Sequence, residues 1–149
     1  MGQFIYLGSG KMSLFGGPAD GGVGPHEGLA LIEPADLASW WFACLFLPAQ
    51  PTGTTGLARR LNPEAFYLAM RWNYAVYTKE ALRQTVVRLS HPSTGRSILA
   101  RPVDFGPGDG NMIDGRPTPD TGRLADLSPG AAAALGLETD EVVECELAG

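Results

Sequence analysis

Residues 101–107 read Arg-Pro-Val-Asp-Phe-Gly-Pro, and residues 121–128 read Thr-Gly-Arg-Leu-Ala-Asp-Leu-Ser. Each stretch places one carboxylate, Asp104 or Asp126, beside an apolar strand-like run and close to a residue that bends the backbone. A carboxylate beside a strand is costly to bury unless a cation pairs with it or it takes part in chemistry. These two stretches therefore carry both the fold prediction and the candidate site.

Short elements with clear local signals surround them. Residues 84–89 and 97–103 are β-branched or apolar runs joined by turn residues, which predicts a hairpin. Residues 128–136 predict a short helix, because a serine can cap its start, a proline follows at the first helical position and a glycine lies past its end. Residues 142–147 alternate as a final strand.

The rest of the chain predicts further short elements, with two ambiguous stretches. Residues 34–47 fit a short helix or a strand, because short apolar runs do not separate the two, and residues 78–83 fit a helical turn or a loop. We expect strands within 1–16, 29–32 and 65–74, and Gly/Pro-rich loops over 17–28 and 107–119. Six or seven short strands with one clear helix predict a small, mainly β barrel.

Composition bounds the class of protein. The chain has 149 residues, a hydrophobic fraction of 44% and a charged fraction of 18%, which are values of one globular domain. The net charge is −5, and no cluster of lysine and arginine occurs, so we expect no nucleic-acid partner.

Cysteine usage and hydropathy suggest no cofactor, metal or membrane span. Cys44 and Cys145 both lie in apolar surroundings, which fits two buried free thiols or a single bridge. No His/Cys spacing typical of a metal site occurs. The most apolar run, 37–48, is too short to span a bilayer, and the N-terminus has no signal-peptide pattern. An extracellular substrate would then require lysis, a secretion machine or attachment to a virion.

A family resemblance rests on four segments in order. Residues 103–107 match a strand ending in Asp-x-Gly-Pro, and 122–128 match Gly-Arg-x-x-Asp-Leu-Ser; 131–136 match an Ala-rich helix with a Leu-Gly end, and 142–147 match a last strand. In these segments the chain resembles the double-psi β-barrel domain of the rare lipoprotein A family. A weaker match covers 8–28, where Glu27 takes the place of a loop glutamate.

The resemblance implies a fold and a substrate class. The fold would be a six-stranded double-psi β-barrel with one or two short helices and long Gly/Pro loops, formed by residues 1–149 as one domain with a poorly matched insertion around 34–83. Relatives include expansins, barwin-like proteins and murein lytic transglycosylases. Their groove binds a β-1,4-linked glycan, so peptidoglycan or another such glycan is the expected partner.

The resemblance also implies site residues. An aspartate near the position of Asp104 acts as general acid in relatives, and a carboxyl in a dry groove has a raised pKa suited to that role. The alternative is that Asp104 pairs with Arg123 or Arg101 and only pins crossing strands. Asp126 is a second catalytic candidate or a structural acceptor near the helix start. Glu27 is a third catalytic candidate or a solvated loop acid.

Four further residues are expected to contact substrate: Arg123, Tyr67, Ser13 and Phe105. The function that follows is lytic transglycosylase-like cleavage of β-1,4 glycosidic bonds. Phe105 stands where the family has arginine, and no histidine occurs in residues 67–70. These departures motivate the alternative of a non-catalytic glycan-binding or assembly module, with a protein partner, for instance in a phage particle or a secretion apparatus.

Overall fold

The computed structural model describes residues 3–24, 26–49, 55–106 and 122–148. Its six strands are β1 (Phe4–Leu14), β2 (Tyr67–Met70), β3 (Val87–Ser90), β4 (Ser97–Phe105), β5 (Arg123–Leu127) and β6 (Val142–Ala148). The helices are α1 (Lys79–Arg83) and α2 (Pro129–Leu135), with 3-10 turns at Pro34–Ala38, Ala43–Leu45 and Leu57–Arg60. No helix in these ranges has the length and apolarity needed to cross a bilayer. The predicted loop at 107–119 lies outside the described residues.

The six strands close into a barrel in the order β1-β5-β2-β4-β3-β6. Two neighbouring pairs, β1 with β5 and β2 with β4, are parallel, and the remaining pairs are antiparallel. The prediction of a mainly β, six-stranded barrel with few short helices is confirmed. Because each parallel pair joins strands distant in sequence, residues from remote parts of the chain lie side by side.

Local sequence signals account for the helix and the hairpin. The Ser128 hydroxyl accepts a hydrogen bond from the Ala131 N–H at 3.1 Å and so caps α2. Gly136 ends the helix with φ of 71°, a conformation that favours glycine. The predicted hairpin is formed by β3 and β4, whose residues pair from Val87–Ala100 to Ser90–Ser97.

Two apolar stretches for which the sequence allowed a strand do not form one. Leu29 and Ile32 form an isolated bridge rather than a strand, because the Leu31 N–H between them donates to the Val103 carbonyl at 3.1 Å and directs the segment across β4. Residues 34–47 contain two short 3-10 turns, which agrees with the short-helix alternative and not with a strand. A reciprocal capping box between Glu33 and Asp36 keeps the first of these turns compact.

Strand β2 separates two apolar clusters. Side chains alternate across a strand, so Leu68 and Met70 point into the barrel while Tyr67 points outward. The segment 29–61 packs over that outer face, and these of its residues form one apolar cluster with Tyr67 and Val103: Leu29, Ile32, Phe42, Leu45, Phe46, Leu57 and Leu61. Strand β2 is therefore buried on both faces, although it lies within the range 34–83 that matches the family poorly.

Both cysteines are free thiols. Cys145 is buried in the barrel, as expected, but Cys44 is exposed. The expectation of a buried Cys44 was wrong because residues Ala43–Leu45 form a surface 3-10 turn that buries only Leu45.

Candidate functional site

Asp104 and Asp126 belong to one row of residues across four adjacent strands. Ala69 of β2 pairs with Asp104 of β4 on one side and with Asp126 of β5 on the other. Ser13 of β1 extends the row by pairing with Asp126. Neighbouring strands are about 4.8 Å apart, so the Cα atoms of the two aspartates are separated by roughly 10 Å. Alanine has no side chain beyond Cβ, so no side chain of β2 stands between the two carboxylates, although Ala69 itself is buried.

Asp126 has the more strongly perturbed carboxyl group of the two. Its pKa is raised from 3.8 to about 6, mainly by burial and in smaller part by the negative charges of Asp104 and Asp20. The Ser13 hydroxyl donates a hydrogen bond to Asp126 Oδ1, and Arg123 acts from a distance; both oppose the rise in pKa. Asp126 does not cap the following helix, since Ser128 does so. A carboxyl with a pKa of about 6 is partly protonated at mildly acidic pH.

Asp104 is also half-buried and has a raised pKa. Burial is the main cause, and the negative charge of Glu27 adds to it. The Ala30 N–H donates to Asp104 Oδ1 at 2.8 Å, and this bond and one from the Phe105 N–H lower the pKa in part. The Asp104 carbonyl accepts from Trp72 Nε1 at 2.9 Å, which fixes the backbone at this position.

The loop that follows β1 carries two more carboxylates to the row. Asp20 accepts hydrogen bonds from the N–H groups of Gly16 and Gly22, at 2.7 and 2.9 Å. Arg59 ties the loop down, because its Nε donates to the Asp20 carbonyl at 2.8 Å and its Nη2 to the Val23 carbonyl at 3.0 Å. The loop therefore holds Asp20 where its charge acts on Asp126.

Glu27 lies at the other end of the same loop and is exposed. Its Oε2 accepts from the Gly24 N–H at 2.8 Å, and its carbonyl accepts from the Leu57 N–H at 3.0 Å. Glu27 acts on Asp104 through its charge, which raises the pKa of that carboxyl. Three of the sequence-predicted acids, Asp104, Asp126 and Glu27, thus form one electrostatically coupled group.

The two arginines proposed as partners of Asp104 bind elsewhere. Arg123 Nε donates to Asp140 Oδ1 at 2.9 Å, and Arg101 Nη1 donates to the Arg83 carbonyl at 3.2 Å. Within the part of the chain that the structure describes, neither Asp104 nor Asp126 forms an ion pair. The alternative in which Asp104 only pins strands through Arg123 or Arg101 does not fit this geometry.

The predicted substrate-contact residues divide into two sets. Ser13 and Arg123 flank Asp126, the first by direct contact and the second by its charge. Tyr67 is fully buried, with its ring edge-on to Phe15 at 5.3 Å, so no face of its ring is open to a sugar. Phe105 is half-buried and packs against Tyr74, with ring centroids 5.9 Å apart.

Sequence reasoning missed three contributors to the site. Ala69 gave no signal, since a small residue in a strand has no distinctive chemistry. The Ala30 N–H is a backbone donor whose position depends on how the segment 29–32 crosses β4. Asp20 could have been found by the argument that selected Glu27, because both are acids in the same glycine-rich loop.

The two cavities that we describe do not reach the carboxylate row. The larger is lined by Trp41, Phe42, Arg83 and Arg101 among others, and the smaller lies between Tyr6 and Tyr77. Among the described residues, no group of three or more His, Cys, Asp or Glu side chains is placed to hold a metal ion.

Comparison of the sequence with protein-family models and with curated proteins gives no match.

Proposed function

We propose that this protein cleaves a β-1,4-linked glycan of the peptidoglycan type by acid/base catalysis at Asp126 and Asp104. The observation that carries the proposal is the placement of two desolvated carboxyl groups, both with raised pKa, on either side of Ala69. Two like charges so placed favour one protonated and one ionised carboxyl, which is the arrangement that glycosidic bond cleavage needs.

Asp126 is the better proton donor of the pair. With its pKa raised to about 6, a substantial fraction of the carboxyl stays protonated at mildly acidic pH. It would protonate the glycosidic oxygen as the bond from that oxygen to C1 breaks. This assignment moves the acid role from Asp104, which the family resemblance favours, to the residue with the more strongly raised pKa.

The second half of a transglycosylase reaction needs a base but no water. The 6-hydroxyl oxygen of the muramoyl residue attacks C1 and forms a 1,6-anhydro ring, and its proton passes to the carboxylate that Asp126 has become or to Asp104. Ser13 would hold the Asp126 carboxylate in place through its hydrogen bond. Glu27 and Asp20 would favour the developing positive charge at C1 through their negative charges.

We also propose that the barrel is of the double-psi class found in the rare lipoprotein A family. The closed strand order and the two parallel pairs support this assignment, together with the motifs at 103–107 and 122–128. In such a barrel the two motifs would lie on strands that flank one groove, which agrees with the positions of Asp104 and Asp126 around Ala69.

The test is product analysis with purified peptidoglycan. We expect 1,6-anhydro muropeptides by mass spectrometry, which borohydride does not reduce, whereas hydrolysis products would be reduced. Asp126→Asn and Asp104→Asn should each lower the yield about 100-fold or more. Glu138→Gln is the matched control, because Glu138 is an exposed acid between α2 and β6.

A second candidate function is a glycan-binding module without turnover. The hydrogen bond from the Ala30 N–H to Asp104 favours it, because this contact occupies one carboxylate oxygen and the segment 29–32 partly covers the group. Retention of the protein on insoluble peptidoglycan with no products from the wild type would establish this function and exclude the enzyme. Equal product yields from the wild type and both row variants would exclude Asp104 and Asp126 as the catalytic pair.

A further inference from the structure

The larger cavity lies beside the carboxylate row but is separated from it. Its volume is about 900 Å³, which falls in the range of about 300–1,000 Å³ typical of small-molecule sites. The segment 29–32 crosses β4 where the Leu31 N–H bonds to the Val103 carbonyl. Asp104 contacts Ala30 of this segment, whereas Arg101 lines the cavity. The carboxylate row and the cavity therefore lie at different places along the same strand.

Two arginines, Arg83 and Arg101, line this cavity and differ in their hydrogen-bond partners. Arg83 forms two hydrogen bonds with the Asp36 carboxylate, at 2.8 and 3.0 Å, and a third with the Leu31 carbonyl. Arg101 donates one hydrogen bond, to the Arg83 carbonyl, and forms no ion pair with any residue of the described ranges. Both guanidinium groups lie over the Phe42 ring, at 4.9 and 5.1 Å from its centroid.

Arg101 therefore carries a positive charge that no ion pair within the described residues neutralises. Stacking on Phe42 restricts its guanidinium group, and of the five N–H donors of an arginine, one is seen to bond within the described part of the chain. Donors held in a planar fork match the two oxygens of a carboxylate. The cavity thus contains a group of the kind that binds carboxylates.

The wall next to Arg101 is aromatic and exposed. Trp41 lines the cavity and is 60% exposed, and Trp40 stacks on it with ring centroids 4.3 Å apart and is 76% exposed. Large apolar rings that face water together commonly mark a binding surface. A flat indole face is suited to stacking with a sugar ring or an aromatic ring.

We propose that this cavity binds a small ligand that carries one carboxylate on a ring-sized body. Arg101 takes the carboxylate, and Trp41 stacks on the ring. Glu80 also lines the cavity and, with the net charge of −5, disfavours ligands with several negative charges. An acidic sugar and an aromatic carboxylic acid share this chemistry. The proposal does not depend on the function proposed for Asp104 and Asp126.

Isothermal titration calorimetry with paired probes tests the proposal. The probes are N-acetyl-phenylalanine and its amide, and glucuronic acid and glucose, each titrated to millimolar concentration. We expect at least one acid to bind about tenfold or more tightly than its neutral counterpart, because a charge-assisted hydrogen bond is lost in the neutral compound. Whichever acid binds shows whether the ring of the natural ligand is aromatic or a sugar.

Variants then assign the binding to named residues. Arg101→Gln should reduce the affinity for the acid to that for the neutral probe, and Trp41→Ala should weaken both probes. Arg96→Gln is the matched control, because Arg96 is an exposed arginine in the β3–β4 turn.

Several results would overturn the proposal. Failure of both acids to bind, equal affinity for an acid and its neutral counterpart, or equal effects of Arg101→Gln and Arg96→Gln would each do so. Arg101 is half-buried, so thermal unfolding must show that Arg101→Gln folds. If Arg101→Gln does not fold, two measurements still test the proposal. They are the affinities of the wild type for the acid and for the neutral probe, and the effect of Trp41→Ala, a substitution at an exposed residue.

Discussion

Replacing Asp126 by asparagine should stabilise the protein at neutral pH. Burial raises the pKa of this carboxyl from 3.8 to about 6, so the folded protein binds the proton more tightly than the unfolded chain does. Below about pH 4 both states carry the proton, and the stabilisation is fully present. As the pH rises through about 6, the folded protein must ionise a poorly hydrated carboxyl, and that stabilisation is lost. Asparagine stays neutral and avoids this loss.

The size of the effect follows from the pKa difference. The interval from 3.8 to about 6 is about 2 pH units, which at about 1.36 kcal/mol per unit gives roughly 3 kcal/mol above pH 7. Asparagine still accepts from the Ser13 hydroxyl, but the bond is no longer assisted by charge. We therefore expect a net gain of about 1–3 kcal/mol, or roughly 3–10 °C in Tm for a chain of this length.

Urea unfolding of the wild type and of Asp126→Asn at pH 4 and pH 7.5 measures this effect. The difference between the two proteins should be small at pH 4 and large at pH 7.5. Asp140→Asn should instead lower stability at both pH values, because Arg123 lowers the pKa of Asp140 and its contribution is lost only as the pH falls below about 4. Its φ of 70° suits asparagine, so no backbone strain is added. A pH-independent difference, or an Asp126→Asn protein less stable at pH 7.5, would refute the reasoning.

Three further substitutions test how the site is held. Gly16→Ala should destabilise the protein by about 2–4 kcal/mol, because Gly16 has φ of 87° and a Cβ there would lie 2.2 Å from the hydroxyl of the buried Tyr67. Chemical denaturation measures the loss, and Gly21→Ala, whose Cβ would have no atom within 4 Å, should be near neutral. Ser128→Ala should lower stability by about 1–3 kcal/mol, since its hydroxyl accepts from two backbone N–H groups, and thermal unfolding would show the loss. Asp36→Asn should lower the free energy of unfolding by about 1–3 kcal/mol at pH 7, where the ion pair with Arg83 is intact, and by less as the pH falls below about 4. Urea unfolding at pH 7 and below pH 4 distinguishes this effect from a packing defect, which would not depend on pH.

The features predicted correctly from sequence are those encoded by neighbouring residues. The cap at Ser128, the stop at Gly136 and the β3–β4 hairpin each need only a few adjacent side chains with specific chemistry. The barrel followed from counting such short elements. None of these predictions required knowledge of which strands pair across the barrel.

The relative positions of the site residues, in contrast, can be predicted only if the pairing of the strands is known. Ala69 lies between the two aspartates because β2 pairs with β4 in parallel and with β5 in antiparallel fashion, and a slip of one residue would turn Ala69 to the other face. The burial of Tyr67 depends on the segment 29–61, whose short apolar runs fit more than one secondary structure. Resemblance to a family selected the acids, but tertiary structure determines which of them interact.

The segment between β1 and β2 is part of the site rather than an addition to the barrel. The row of Ser13, Asp126, Ala69 and Asp104 lies on the outer face of the sheet, where a bare barrel would leave the carboxylates hydrated and their pKa values ordinary. The Ala30 N–H, the charge of Glu27 and the charge of Asp20 all come from this segment. The same segment supplies Phe42 and Trp41 to the neighbouring cavity. The chemistry at both places therefore depends on how this segment packs over β2 and β4.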